Sequence, residues 1–99
     1  MLISKYTVYI LSSLKRSRTY AGYAQDFNQR LFLHNKGKVR ATNHFIPWKV
    51  IYTEGVDSLT EAKERERYWK SAAGRRNIKK IIGGSRPTFR KLGEARLTL

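Results

Sequence analysis

Tyr6-Thr7-Val8-Tyr9-Ile10-Leu11, answered after a short polar connection by Thr19-Tyr20-Ala21-Gly22-Tyr23, is the stretch on which the fold turns. The first segment is rich in β-branched and aromatic residues, which suit a pleated, half-buried surface, and it predicts a strand over 6–11. Ser12 to Ser17 reads as a connection, and Arg18 to Tyr23 resumes strand character, so a β-hairpin is expected. Alternation puts Tyr6, Val8 and Ile10 on one face and Thr7 and Tyr9 on the other. The second face is less uniformly apolar, which would leave the Tyr9 hydroxyl accessible. Gly22 is expected to end the second strand, through a bulge or the close approach of another group.

Outward from the hairpin, Asp26-Phe27-Asn28-Gln29 has the form of a capping box. It predicts a helix from Asp26 to about Lys36, stopped by Gly37 at a C′ position. Arg30 and His34, four residues apart, share one face of it. Lys36 to Asn43 reads as an exposed basic loop, and Pro47 to Thr53 as a third strand opened by its proline. Ser58-Leu59-Thr60-Glu61 is a second capping box, predicting a helix to about Ala73 that ends at Gly74, with a short helix over Arg75 to Ile82. The order β-β-α-β-α-α implies an α+β fold, a small three-stranded sheet flanked by helices. A division follows, with a folded domain over 1–82 and a basic C-terminal tail over 83–99.

Composition bounds the partners. Ninety-nine residues suit one domain with one modest core. A net charge of +14, from 21 Lys+Arg against 7 Asp+Glu, points to a polyanion, and nucleic acid fits best because neutralised phosphates release counterions. Zero cysteines exclude disulfides, thiolate metal sites and cysteine nucleophiles. No apolar run is long enough to span a membrane, so no membrane association is expected and the cytoplasm is the simplest compartment.

Three groups carry the chemistry. Leu59, Ala62, Glu66, Trp69 and Ala73 fall within a narrow helical arc. A carboxylate inside such an arc must be paired, bound to a metal or held at the edge of a cleft. Glu54, at the end of the third strand, is its one competitor as a catalytic carboxylate. A single carboxylate without cysteine cannot build a closed zinc site, but it can hold one Mg²⁺ that keeps most of its waters. Arg30 and His34 offer a phosphate fork and a proton-transfer group, or simply a basic helix face. Tyr9 and Tyr20 read as strand aromatics or as site hydroxyls.

Tyr9 in Val8-Tyr9-Ile10, Tyr20-Ala21-Gly22, Arg30, His34, and Arg65-Glu66 with Lys70-Ser71 together resemble the GIY-YIG nuclease superfamily, in its small single-domain bacterial branch. Leu33-His34-Asn35, Gly37-Lys38, Pro47-Trp48-Lys49 and Gly74-Arg75 extend the resemblance from Tyr6 to about Ile82. It implies an antiparallel three-stranded sheet with a catalytic site on one side. It further implies Tyr9 as general base, Arg30 on the scissile phosphate, Glu66 on one divalent metal (Mg²⁺ or Mn²⁺), and Tyr20 and His34 as orienting groups. Gly22 matches the glycine that allows tight packing at the site. Thr7-Val8 and Ala21 depart from the motif beside the tyrosines and leave the chemical groups intact. Some relatives use a late asparagine, and Asn77 lies in a similar region without a secure match.

A tyrosine of ordinary pKa near 10 is a poor base, and Mg²⁺ and Arg30 are expected to lower it. The function implied is a divalent-metal-dependent endonuclease on DNA, with RNA not excluded, selective for structure and set in DNA repair or recombination. Lys36, Lys38, Arg40, Arg75, Arg76, Lys79 and Lys80 would hold the flanking backbone. One site cuts one strand, so targeting or double-strand cutting would call on a protein partner, a homodimer or successive nicks. The competing reading is a domain with the same fold and basic surface that binds nucleic acid without cutting it.

Overall fold

A computed structural model describes residues 4–84, so the basic tail expected over 83–99 lies almost wholly outside the described residues. The chain runs β1 (Tyr6–Ser13), β2 (Thr19–Ala24), α1 (Phe27–Asn35), a 3₁₀ turn (Asn43–Phe45), β3 (Trp48–Val56), α2 (Leu59–Lys70) and α3 (Ala72–Ile82). The three strands form one antiparallel sheet in the order β2-β1-β3. This is the α+β architecture and element order that the sequence predicts.

β1 is paired along both edges, and the packed elements on either side cover both its faces. Val8, Tyr9, Ile10 and Leu11 are each at most 1% exposed. Val8 and Ile10 pack with Ala21 of β2, Ala62 and Trp69 of α2 and Ile78 of α3. Tyr9 and Leu11 pack on the opposite face with Trp48, against Tyr20, Phe27 and Leu31. Tyr9 is therefore buried rather than accessible, since α1 closes the face that alternation alone left open. Gly22 does not end β2; it sits inside the strand, directly opposite Tyr9.

The local signals at α1 are in place. The Asp26 carboxylate accepts from the Gln29 backbone N–H at 3.0 Å, and Gly37 stands at φ +76°, the left-handed conformation expected of a C′ glycine. The loop expected over 36–43 is not uniformly exposed, because Thr42 within it is fully buried. The third strand runs on to Val56, so Glu54 lies inside β3 and not at its end.

The boundary between the last two helices is also displaced. α2 ends at Lys70, and Ser71 caps both helices: its hydroxyl donates to the Tyr68 carbonyl at 2.6 Å and accepts from the Gly74 N–H at 3.2 Å. Gly74 and Ala73 consequently belong to α3. A Cβ on Gly74 would collide with the Tyr68 carbonyl and lie 2.6 Å from Trp69 Cα, so this glycine permits the tight corner between the helices.

Candidate active site at the β2 edge

A cavity of about 330 Å³ opens at the edge of the sheet, lined by Tyr9, Tyr20, Gly22, Tyr23, Arg30 and Glu66. Five of the six site residues named from sequence (Tyr9, Tyr20, Gly22, Arg30 and Glu66) thus meet in one place, drawn from β1, β2, α1 and α2. The sixth, His34, stands behind Tyr9.

Strand register sets the floor. Tyr9 pairs with Gly22 and Leu11 with Tyr20, so these four residues share a face. A Cβ at Gly22 would lie 2.8 Å from the Tyr9 hydroxyl oxygen and 2.9 Å from the Tyr20 ring. Glycine makes the room in which both phenols lie.

His34 is fully buried and orients the Tyr9 hydroxyl. Its Nε2 is 2.9 Å from the Tyr9 oxygen, and its Nδ1 is 2.8 Å from Thr42 Oγ1. The Thr42 hydroxyl donates to the Val39 carbonyl at 3.4 Å, which leaves its oxygen to accept from an Nδ1–H. That tautomer makes Nε2 the acceptor of the Tyr9 O–H. The phenolic lone pairs remain for Arg30 and the cavity. Nothing in its sequence neighbourhood marks Thr42, because the contact joins residues brought together only by folding. Asn35 works similarly: its side chain accepts from the Trp48 N–H at 2.6 Å and donates to the Trp48 carbonyl at 3.2 Å, docking α1 on the start of β3.

Burial depresses His34 to about 4, assisted by the Arg30 charge, so its imidazole is neutral near pH 7. The unfolded side chain titrates near 6.5, so between the two values the native state binds fewer protons. Stability is then full above about pH 6.5 and is lost as pH falls toward about 4. The His34 share of that loss is about 2–3 kcal/mol at pH 4.5. Urea unfolding at pH 7 and 4.5 is expected to show wild type losing more than His34→Gln by about this amount. Equal losses would mean that His34 is not held neutral.

Tyr9 moves against expectation. Burial pushes its phenol up to about 12, Tyr20 and Glu66 reinforce the rise, and the hydrogen bond and charge of Arg30 only partly offset it. Arg30 acts in the expected direction, but desolvation outweighs it.

The two carboxylates separate cleanly. Glu66 is half-buried at the cavity edge, its Oε2 accepting from Lys70 Nζ at 3.1 Å, with its side chain 27% exposed. Of its expected arc, Ala62 and Trp69 are buried, whereas Leu59 is 42% exposed and Ala73 belongs to α3. Glu54 is taken up elsewhere. Arg65 grips both its oxygens, the Trp69 indole donates to it at 3.4 Å and the Tyr52 hydroxyl at 3.3 Å. Asn77 is buried too, its Nδ2 donating to the Tyr68 hydroxyl at 2.6 Å, and it does not line the cavity.

Among the described residues, no group of three or more His, Cys, Asp or Glu side chains converges on one point. The donor set at the cavity, one carboxylate beside phenols and an arginine, fits a hard cation that keeps its waters and takes a substrate phosphate oxygen. It does not fit zinc.

The basic residues divide. Arg75 and Lys79 line a second, larger groove with Arg18 and Lys70, two cations not among those expected to hold the backbone. Arg76 and Lys80 lie exposed outside it. Lys36, Lys38 and Arg40 follow α1, and Lys36 Nζ sits 5.4 Å from the Phe32 ring centroid. No helix among the described residues is long and apolar enough to cross a membrane.

A UPF0213 protein of Staphylococcus saprophyticus is 31% identical over 83 residues, covering 83% of this chain and 100% of the relative. A UPF0213 protein of Staphylococcus epidermidis is 34% identical over the same coverage, and one of Streptococcus pneumoniae is 40% identical over 52 residues, about half of each chain. No solved structure matches significantly. The GIY-YIG catalytic domain matches residues 5–80, which carry every residue of the cavity, and the chain therefore belongs to the GIY-YIG family.

Proposed function

We propose that the protein is a divalent-metal-dependent endonuclease that hydrolyses DNA phosphodiester bonds at the Tyr9–Arg30–Glu66 cavity. The nuclease class follows from membership of the GIY-YIG family. The observation that carries the site is the convergence of Tyr9, Tyr20, Arg30 and Glu66 on one cavity with room for a phosphate group. The nuclease unit spans 1–82, and the site acts on particular DNA structures, in repair or recombination.

In this mechanism the Arg30 fork holds the scissile phosphate and stabilises its charge as the bond breaks. The Tyr9 lone pairs accept a hydrogen bond from the attacking water. A phenol near pKa 12 is ionised in only about one molecule in 10⁵ at pH 7, so Tyr9 does not act as a standing phenolate. Instead it takes the water proton as it passes its own along the existing hydrogen bond to His34 Nε2. The water oxygen bonds to phosphorus as the P–O3′ bond breaks, and O3′ leaves with the bonding pair and takes a proton from solvent. The His34 imidazolium, acidic at about 4, returns its proton through Tyr9 to cavity water. Glu66 is the carboxylate that holds a Mg²⁺ or Mn²⁺ ion, which when bound supplies Lewis-acid stabilisation to the leaving oxygen. Tyr20 packs against the His34 ring, 5.2 Å between centroids, and keeps the relay in place.

The test is incubation of wild type, Arg30→Ala and Glu66→Gln with branched, single-stranded and duplex DNA, with and without Mg²⁺ or Mn²⁺. Wild type is expected to cut only with metal. Arg30→Ala should lose about 10²–10³ in rate, the usual cost of removing a transition-state donor, and Glu66→Gln its response to metal. Equal cleavage by all three proteins refutes the site. No cleavage by wild type on any substrate supports a binding domain in its place.

A further inference from the structure

The second cavity is an open groove of about 730 Å³ between β2 and α3. Arg18, Lys70, Arg75 and Lys79 line it, and among the described residues no carboxylate does. Its floor includes the buried Trp69 and Ile78. Tyr20 belongs to the walls of both cavities, so the groove adjoins the site where Tyr9, Arg30 and Glu66 meet. Lys70 stands at the junction, its Nζ 3.1 Å from Glu66 Oε2 and 5.7 Å from the Tyr20 ring centroid.

The phase of α3 explains which cations face inward. Arg75, Ile78, Lys79 and Ile82 recur at helical spacing and line the groove together. Arg76 and Lys80 are one position on, turned by about 100°, and point elsewhere. Charge content is therefore the same on two stripes of one helix, and packing separates them.

We propose that this groove is a binding tract for a nucleic-acid backbone, receiving the phosphates on one side of the bond held at Tyr9 and Arg30. The location of that bond rests on the nuclease reading; binding in the groove does not. A polyanion is the occupant that fits, because Arg18, Arg75 and Lys79 face the cleft with no carboxylate paired to them among the described residues, and only Lys70 is shared, with Glu66. Successive phosphates can engage successive cations and release counterions, which an isolated anion cannot do. The apolar floor receives sugar and base surface while the charged rim stays hydrated.

The deciding comparison is between two double variants, Arg75→Gln/Lys79→Gln and Arg76→Gln/Lys80→Gln. Both remove two positive charges from the same helix, and all four side chains are exposed, so net charge and stability change alike. Binding of a labelled oligonucleotide, as single strand and as duplex, is measured without divalent metal between about 50 and 200 mM salt. The groove variant is expected to bind roughly tenfold more weakly and to lose about 1.4–1.8 from the slope of log K against log salt, two phosphate contacts' worth. The other variant should lose less than about 0.4. Equal effects of the two variants, or an unchanged slope in the groove variant, overturn the proposal. Cleavage by wild type with metal is scored separately. If wild type fails to cut while the two variants still differ, the groove stands and the nuclease reading falls. If it cuts and the variants bind alike, the reverse holds.

Discussion

Tyr9→Phe is expected to slow phosphodiester cleavage about 10²–10⁴-fold, the range a positioned proton-transfer group contributes. Oligonucleotide affinity should stay within about twofold, because the hydroxyl acts on the attacking water and not on ground-state binding. The substitution isolates one atom. The ring of Phe keeps the contacts of Tyr9 to Phe27, at 5.2 Å between centroids, and to Tyr20, at 6.4 Å. What disappears is the hydrogen bond from Arg30 and the one to His34 Nε2, the latter leaving a buried acceptor without its partner at a cost of about 1–3 kcal/mol. Thermal melting therefore accompanies the assay, which is run well below the transition. Single-turnover rates on the best-cut substrate give the result. A wild-type rate for Tyr9→Phe would remove the phenol from the proton path and send the search for the base elsewhere.

Gly74→Ala is expected to destabilise the fold by about 2–4 kcal/mol, lowering the melting temperature by roughly 10–20 °C. The sign is informative. In a helix interior, alanine normally improves on glycine by up to about 1 kcal/mol. Here the new methyl group meets main chain: the Tyr68 carbonyl, Trp69 Cα at 2.6 Å and Trp69 C at 2.8 Å. Backbone cannot rotate aside as a flexible side chain can, so the α2–α3 corner must open. Opening it moves Trp69, 1% exposed between the sheet and the helices, and with it the helix that presents Glu66. Differential scanning calorimetry of the two proteins reads the effect. A Gly74→Ala protein as stable as wild type would show that the corner can relax.

How much was legible depended on range. Asp26 and Gly37 bound α1 through contacts a few residues long, and those ends could be read from the chain. Gly74 carries the same local signature as Gly37, a glycine after a helical run, yet it serves a contact between two helices and stands inside α3. Glu66 was legible as a carboxylate that needed a reason, with three answers open; packing placed it at a cleft edge beside Lys70. Glu54 could be set aside only once Arg65, Trp69 and Tyr52 were seen to occupy its oxygens.

The resemblance to the GIY-YIG superfamily named the groups that meet at the cavity, Tyr23 excepted, while sequence by itself determined the strands, the three main helices and the basic character. These follow from periodicity, capping chemistry and charge, which act over one or two turns of chain. Tertiary structure alone decided that Tyr9 is buried with its proton aimed at His34, that Thr42 sets the tautomer, and that Arg75 and Lys79 face a groove while Arg76 and Lys80 do not. Desolvation and long-range contact made those choices, and both depend on what covers a residue, which no local pattern records.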